Sequence, residues 1–174
     1  MPFDAVDQQI LGILRQDGRA SHARIAQRVG LSAPAVGERI RKLEGAGVIL
    51  GYQAVFDPAA VGLPICAFVA IIPQPRNPAA NLVARLLGLP EIEELHAVAG
   101  DYSYVAKVRL ASTQDLDAFL DRLVLLEGVE RSQTTMVLRT NAERPMLLPF
   151  ERSAEPGSAA ESESGASPPQ EGQT

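Results

Sequence analysis

Three basic side chains in the first third of the sequence are spaced for contact with phosphate groups. Arg39, Arg41 and Lys42 fall on one stretch of helical pattern. Arginine can both bind a phosphate and donate two hydrogen bonds to the edge of a guanine. The 174-residue chain carries a formal net charge of −5, yet residues 21–47 hold five basic groups against two acidic ones. A positive charge confined to one segment indicates a local surface for nucleic acid.

The helix that carries these side chains has an inner and an outer face. Val36, Ile40 and Leu43 repeat at helical spacing and are predicted to face the core. Small side chains near the start of the helix would let its backbone approach a DNA groove closely. The predicted DNA-contacting set is therefore the capping serine and the outward or flanking positions: Ser32, Pro34, Ala35, Glu38, Arg39, Arg41 and Lys42.

Three helical patterns fill residues 4–47 and would position this set. Asp4, Ser21 and Ser32 each precede a pattern and can cap a helix by accepting a hydrogen bond from a backbone N–H of its first turn. The short turn of residues 29–32 joins the second helix to the third. This is the helix-turn-helix arrangement, whose second helix enters the major groove of DNA. We therefore assign residues 1–48 to a DNA-binding domain.

From Val48 onward the hydrophobic period changes. Residues 49–61 are predicted to form a hinge strand and a linker, with a break at Asp57-Pro58. Residues 62–142 then follow the order strand, helix, strand, strand, helix, strand, which is the ferredoxin-like βαββαβ order. We predict an α+β protein in which an N-terminal (winged) helix-turn-helix domain precedes a ferredoxin-like domain.

Local signals mark the elements of this second domain. Residues 77–78, Asn-Pro, are predicted to open its first helix, and residues 100–101, Gly-Asp, to make a tight hairpin turn. Ser112 is predicted to cap its second helix together with Asp115. The last strand is predicted over residues 129–140. The side chains of the first helix that are expected to face the core are Leu82, Val83, Leu86 and Leu87.

The first strand of the second domain is apolar on both faces. The odd-numbered positions from 65 to 71 and the even-numbered positions from 66 to 72 are all apolar. In the ferredoxin-like fold both helices cover the same face of the sheet. A second copy of the chain is predicted to cover the other face. The alternative is that the N-terminal domain folds back onto it.

The end of the sequence has nothing large and apolar to bury. Residues 151–174 hold five acidic groups against one basic group, so residues 143–174 are predicted to be a linker and a disordered acidic tail.

The single cysteine, Cys66, excludes an internal disulfide. No apolar run approaches the roughly 20 residues of a membrane helix. With acids near the N-terminus, these features predict a cytoplasmic protein that has no membrane partner.

Residues suited to catalysis are too scattered to predict an enzyme. His22, Cys66 and His96 lie far apart in the sequence and show no metal-ligand spacing. The glycines of residues 45–51 follow a helix, whereas a dinucleotide-binding loop follows a strand. We expect no catalytic residues, no metal site and no cofactor.

Five stretches of the sequence together resemble one protein family. They are AVDQQILGILRQDGRAS, IAQRVGLS, ERIRKLEGAGVILGYQA, HAVAGDYSYVAKVRL and GVERSQTTMVL. In this order, over roughly residues 3–142, they resemble the leucine-responsive/asparagine regulator (Lrp/AsnC, feast-famine) family of transcription regulators. The resemblance implies a DNA-binding domain, a hinge strand near residues 49–56, and an α/β domain for dimerisation and amino-acid sensing. It also implies dimers that assemble further, commonly to octamers.

The resemblance further implies an effector site at contacts between dimers. Ser103 stands where the family usually has a second acid. A hydroxyl offers the ammonium group of an amino acid a neutral hydrogen bond, about half as strong as a charged one, so we expect a weak or altered response to amino acids. Without the resemblance, the same residues describe a plain hairpin turn. The implied effector-binding residues are Gly100, Asp101, Tyr102, Ser103, Thr134 and Thr135.

Two functions compete for this sequence. The first is a sequence-specific DNA-binding transcription regulator with an amino acid or a related small metabolite as candidate effector. The alternative is an oligomeric ligand-sensing or protein-docking module that does not bind DNA. Phosphate contact needs the three basic side chains of the third helix, whereas protein docking gains little from them. The three basic side chains therefore favour the DNA-binding regulator over the docking module.

Overall fold

The computed structural model describes residues 4–75, 81–146 and 148–151, and the chain divides into two compact units. Of the described residues, 4–53, 144–146 and 148–151 belong to the first unit and 54–143 to the second. The boundary falls inside the predicted hinge segment, because the hydroxyl of Tyr52 donates a hydrogen bond to Glu44 of the first unit (3.1 Å). Most of the predicted acidic tail lies outside the described residues.

Three helices form the first unit: α1 (Ala5–Gln16), α2 (His22–Val29) and α3 (Ala33–Gly45). The predicted caps are confirmed, since Asp4, Ser21 and Ser32 each accept a hydrogen bond from the backbone N–H three residues further on. A cap of this kind contributes about 1 kcal/mol to helix stability. The buried faces of the helices share one core: Ile10, Ala20, Ile25, Ala26, Val36 and Ile40.

A tight turn joins α2 to α3. Gly30 has a φ of +70°, a conformation that favours glycine, and the N–H of Leu31 donates to the carbonyl of Ala26 (3.1 Å). The two helices approach closely where Gly37 faces His22, since a Cβ at position 37 would lie 3.1 Å from Nδ1 of His22. This arrangement is the predicted helix-turn-helix.

The predicted hinge strand is absent from the structure. Residues 49–57 form neither helix nor strand, and the side chains of Leu50 and Val55 are 93% and 94% exposed. A strand needs a neighbour that pairs with its backbone N–H and C=O groups. The segment pairs with none of the described strands, and the described part of the first unit contains no strand that would make a wing.

The second unit is a four-stranded antiparallel sheet with two helices. The strand order is β2-β3-β1-β4, and β1 is antiparallel to both of its neighbours. This confirms the predicted ferredoxin-like order. A short 3-10 turn, Pro149–Glu151, comes later in the chain and is assigned to the first unit. The elements are β1 (Ile65–Pro73), α4 (Leu82–Leu87), β2 (Ile92–Ala97), β3 (Tyr104–Leu110), α5 (Thr113–Val124) and β4 (Val129–Met136).

Both helices cover the same face of the sheet, as predicted. The predicted cap of α5 is confirmed, since the N–H of Asp115 donates to the hydroxyl of Ser112 (3.1 Å). Burying one large apolar side chain contributes roughly 1.5–3 kcal/mol, and this core holds several. Its members include Ala67, Val69, Ile71, Leu82, Leu86, Leu116, Phe119 and Leu123.

Some predicted details of the second unit are wrong. Leu87 is 64% exposed, because it follows the buried Leu82 by five positions and so lies well round the helix from it. The connection between β2 and β3 spans residues 98–103 rather than two residues, and β4 ends at Met136 rather than at residue 140. The predicted helix start at residues 77–78 lies outside the described residues.

We call the sheet face opposite the helices the open face. In β1 it carries the even-numbered positions from Cys66 to Ile72, whose Cα partners on β3 and β4 are mostly polar. Phe68 is 43% exposed on this face, whereas Cys66 is 5% exposed. The described chain therefore covers the open face in part, which leaves apolar surface for another molecule.

Candidate nucleic-acid interface and effector turn

The outward face of α3 combines small side chains near its start with cations further along. Pro34 occupies the first turn, where the missing N–H of proline costs little. Lys42 is 72% exposed. Among the predicted contacts, Ala35 is half-buried, and the following are exposed: Ser32, Pro34, Glu38, Arg41 and Lys42.

Arg39 differs from the other predicted contacts, because it binds α1. Its Nη1 lies 2.6 Å from Oδ2 of Asp4 and 2.7 Å from Oδ1 of Asp7. Hydrogen bonds to Asp7 and Asp4 raise the pKa of Arg39, and bonds from the Asp7 backbone and from Arg39 lower the pKa of Asp4. Arg39 therefore joins α3 to α1, and we remove it from the DNA-contacting set.

The two remaining cations of α3 are available to a ligand. Lys42 pairs with Glu38 one turn earlier at 2.9 Å, and this hydrogen bond lowers the pKa of Glu38. An exposed pair of this kind is weak and is screened by salt, so Lys42 can exchange Glu38 for a phosphate. Arg41 forms no ion pair within the described residues.

Two further side chains border this face and are missing from the predicted set. Arg19 and His22 line, together with Arg41, a cavity of about 310 Å³. Both flank Ser21, the N-cap of α2. The sequence does contain a signal for them, because donors beside a helix N-terminus are suited to hold an anion.

Main-chain hydrogen bonds shape the turn between β2 and β3. The N–H of Val98 donates to the carbonyl of Ser103 (3.0 Å), and the N–H of Ser103 donates to the carbonyl of Ile71 (3.2 Å). Gly100 has a φ of +140°, which L residues with a side chain rarely adopt. Because the Ser103 amide is occupied, this residue offers a ligand its hydroxyl, while Asp101 is exposed.

Tyr102 ties this turn to β4. Its hydroxyl donates to Oε1 of Gln133 at 2.6 Å, and sequence reasoning missed this partner because the two residues are 31 positions apart. Thr134 lies opposite a buried core residue of β1, whereas Thr135 lies opposite Phe68 on the open face. The two threonines therefore face opposite sides of the sheet.

A group of ion pairs, which we call the Glu143 cluster, covers one end of the open face. Arg109, 9% exposed, lies 2.9 Å from both carboxylate oxygens of Glu143 and 3.1 Å from Glu93. Lys107 lies 2.7 Å from Glu143 and 3.3 Å from Glu94. The hydrogen bond from Lys107 lowers the pKa of Glu143. The cluster holds the segment after β4 against the sheet.

Cys66 lies beside the Glu143 cluster. It is opposite Arg109 in the pairing of β1 with β3, and its side chain is free and buried. Burial raises the pKa of the Cys66 thiol, so the thiol stays in its less reactive protonated form.

The described residues contain neither a metal-ligand cluster nor a membrane-spanning helix. No group of three or more of their His, Cys, Asp or Glu side chains is placed to hold a metal ion. Nor does this part of the chain contain a helix long and apolar enough to cross a bilayer.

The helix-turn-helix unit with its cationic outer helix, followed by a ferredoxin-like unit, defines the class of helix-turn-helix transcription regulators. Comparison with family models agrees with this class. The AsnC-type helix-turn-helix domain matches residues 3–44, and the Lrp/AsnC ligand binding domain matches residues 66–147. The chain belongs to the Lrp/AsnC family.

Individual relatives support this assignment. The transcriptional regulator LrpA of Mycobacterium tuberculosis is 41% identical over 138 residues, which are 79% of this chain and 91% of LrpA. The regulator FL11 of Pyrococcus horikoshii is 36% identical over 147 residues, 84% of this chain and 97% of FL11. The feast or famine regulatory protein of M. tuberculosis, solved with L-methionine, is 40% identical with a TM-score of 0.81, covering 85% of this chain and 100% of that one. These relatives are transcription regulators rather than enzymes, and this chain is a DNA-binding transcription regulator.

Proposed function

We propose that the protein recognises a specific double-stranded DNA sequence with the outward face of α3. The observation that carries this proposal is the exposure of Arg41 and Lys42 on a helix whose start bears small side chains, at Pro34 and Ala35. A helix of this shape fits the major groove, where each base pair presents a distinct pattern of donors and acceptors.

The chemistry of each side chain sets its proposed role. Arg41 donates to O6 and N7 of a guanine or to a phosphate, and Lys42 binds a phosphate. When the ion pair between Lys42 and Glu38 breaks, Glu38 can accept a hydrogen bond from N4 of a cytosine. Ser32 fixes the start of the helix through its bond to the N–H of Ala35 (3.4 Å). These roles divide the face into positioning and base-reading contacts.

We propose the turn between β2 and β3 as the site of an amino-acid effector. Asp101 is exposed there and can accept hydrogen bonds from the ammonium group, and the Tyr102–Gln133 bond fixes the turn. The M. tuberculosis relative in complex with L-methionine supports this ligand class. Because Thr134 and Thr135 face opposite sides of the sheet, at most one of them contacts a ligand bound by the turn of the same chain.

We propose that the protein works as a dimer that assembles into larger oligomers. The segment of residues 48–63 exposes Leu50, Val55 and Phe56, and the open face exposes Phe68. Apolar surface of this extent is typical of an interface. A second copy can both pair with the backbone of this segment as a strand and cover the open face.

The DNA-binding proposal is tested by selecting DNA fragments from the source genome with the purified full chain. We expect a small set of enriched sequences that bind roughly 10³-fold or more tightly than shuffled duplexes of the same length. If no fragment is bound more tightly than bulk DNA, the proposal of sequence-specific recognition is wrong. Binding of a protein partner alone would favour the docking module.

A further inference from the structure

We propose that the cavity between the N-terminal end of α2 and the side of α3 binds a phosphate of the DNA backbone, beside the base-reading face of α3. This inference rests on the proposed function, because it deepens the account of the DNA contact. The cavity measures about 310 Å³. Since a water molecule takes about 30 Å³, the cavity has room for a phosphate group with several waters. The polar side chains that line it belong to Arg19, His22, Arg41, Glu44 and Tyr52.

The cations of this cavity are available to an anion. The side chain of Arg19 forms no ion pair within the described residues, since the neighbouring Asp17 is engaged elsewhere. One oxygen of Asp17 accepts the backbone N–H of Arg19 (3.0 Å), and the other pairs with Arg24. Arg41 is likewise exposed without an ion pair in the described chain.

The negative charge that borders the cavity is also engaged. Glu44 is the one carboxylate among the described lining residues, and its Oε1 accepts a hydrogen bond from the hydroxyl of Tyr52 (3.1 Å). Burial, and next this bond to Glu44, raise the pKa of Tyr52, so the phenol keeps the proton that it donates. Two guanidinium groups against one engaged carboxylate leave the lining positive.

Gly37 places His22 at this site. The nearest atoms to a Cβ at position 37 would be Nδ1 of His22 at 3.1 Å and Cε1 at 3.2 Å. The glycine therefore lets the imidazole lie close against α3, on the side where Arg41 follows one turn later. His22 is exposed and can donate a ring N–H to an oxygen between the two arginines.

The cavity lies where a helix-turn-helix meets the DNA backbone. When the second helix of the motif enters the major groove, the first helix crosses the backbone beside it. Arg41 belongs to α3 and lines the cavity, so it connects the base-reading face with the start of α2. A phosphate held here would fix the depth and register of α3 in the groove.

The test measures affinity against salt concentration for the full chain, with the selected duplex and with a shuffled duplex. Arg19→Ala should reduce the slope of log affinity against log salt by about 0.9, and should weaken both duplexes by the same factor. His22→Ala should weaken both by about ten-fold or more, as expected when one hydrogen bond to a charged group is removed. Arg28→Ala is the matched control, because Arg28 borders a different cavity, between α1 and the end of α2.

The outcomes separate this inference from the proposed function. If Arg19→Ala changes the slope no more than Arg28→Ala, or changes the ratio between the two duplexes, the cavity does not bind a backbone phosphate. If Arg41→Ala and Lys42→Ala also leave DNA binding unchanged, the proposed use of α3 fails as well. Arg19→Gln replaces Arg19→Ala if the alanine variant does not fold. If inorganic phosphate binds to the cavity and DNA does not displace it, the cavity is a site for a free anion and the inference is wrong.

Discussion

At the scale of single residues, the arginines of the first unit differ in whether they form ion pairs. Arg39 is bound by two carboxylates of α1, and Arg24 pairs with Asp17. Arg19 and Arg41 form no such pairs within the described chain. Charge alone does not distinguish these two groups, because all four side chains are basic and lie within the same short segment. Their ion-pair partners are the basis on which we propose Arg19 and Arg41, and not Arg24 and Arg39, as DNA contacts.

Arg39 and Arg41 should therefore respond differently to substitution. Arg39→Ala removes the link between α3 and α1, so we expect a lower Tm and a salt slope of DNA binding close to that of the parent protein. Arg41→Ala should leave the Tm unchanged and reduce the slope by about 0.9 for each phosphate that is no longer neutralised. Thermal denaturation and salt titration of both variants test this division. A large change of slope in Arg39→Ala with an unchanged Tm would return Arg39 to the DNA-contacting set.

Ser103 should limit the affinity for amino acids. Ser103→Asp adds a carboxylate beside the turn, and a charge-assisted hydrogen bond contributes roughly 1.5–3 kcal/mol. We expect at least one common amino acid to bind about ten-fold more tightly to this variant, as measured by calorimetry against the twenty amino acids. Asp101→Ala is the control and should weaken amino-acid binding both in the parent protein and in the Ser103→Asp variant. Tight binding by the parent protein that survives Asp101→Ala would place the effector site elsewhere.

At the scale of elements, local signals were predictable and long-range partners were not. The caps at Ser32 and Ser112 follow from neighbouring residues, and so does the order of strands and helices. Arg39 pairs with two residues that lie 32 and 35 positions earlier, and Arg109 pairs with Glu143, 34 positions later, as well as with Glu93, 16 positions earlier. The hinge strand stays a prediction for a related reason: a strand-like sequence becomes a strand only beside a partner, and residues 49–57 pair with no strand of the described single chain.

The Glu143 cluster should hold the segment after β4 over Cys66. Glu143→Gln weakens the ion pairs to Arg109 and Lys107, which we expect to cost about 1 kcal/mol after allowance for the solvent screening of a half-exposed carboxylate. This change lowers the Tm by about 4–8 °C for a unit of this size. A thiol reagent should also modify Cys66 faster in this variant. Glu130→Gln on the exposed side of β4 is the control and should change neither quantity. Equal reactivity of Cys66 in all three proteins would show that the cluster does not protect it.

The contribution of the cluster should depend on pH in a defined direction. The pKa of Glu143 is lowered in the folded protein from an ordinary value of 4.5, so its stabilising effect is complete above pH 4.5 and is lost as the pH falls through the lower, folded-state pKa. The difference in Tm between the parent protein and Glu143→Gln should therefore be largest near neutral pH and shrink below about pH 4.5. A difference that stays constant down to about pH 3 would contradict the role of the ionised carboxylate.

At the scale of the whole molecule, the described chain exposes apolar surface that we propose is covered by a second copy. Phe68 on the open face and the segment of residues 48–63 expose large apolar side chains. Sedimentation of the full chain at micromolar concentration should give a dimer or a larger oligomer, and Phe68→Lys should shift it toward monomer. Gln114→Lys, on the exposed surface of α5, is the control for the added charge. A monodisperse monomer of the parent protein would exclude self-association through these surfaces.

The salt dependence of DNA binding tests the central claim, that the outward face of α3 binds DNA, most directly. The measurement compares the parent protein with the double variant Arg41→Ala/Lys42→Ala and with Arg28→Ala, on the selected duplex. If the two α3 cations each bind a phosphate, the double variant should reduce the slope of log affinity against log salt by about two units, and Arg28→Ala by much less. An unchanged slope and affinity in the correctly folded double variant would show that α3 does not contact DNA in the way proposed.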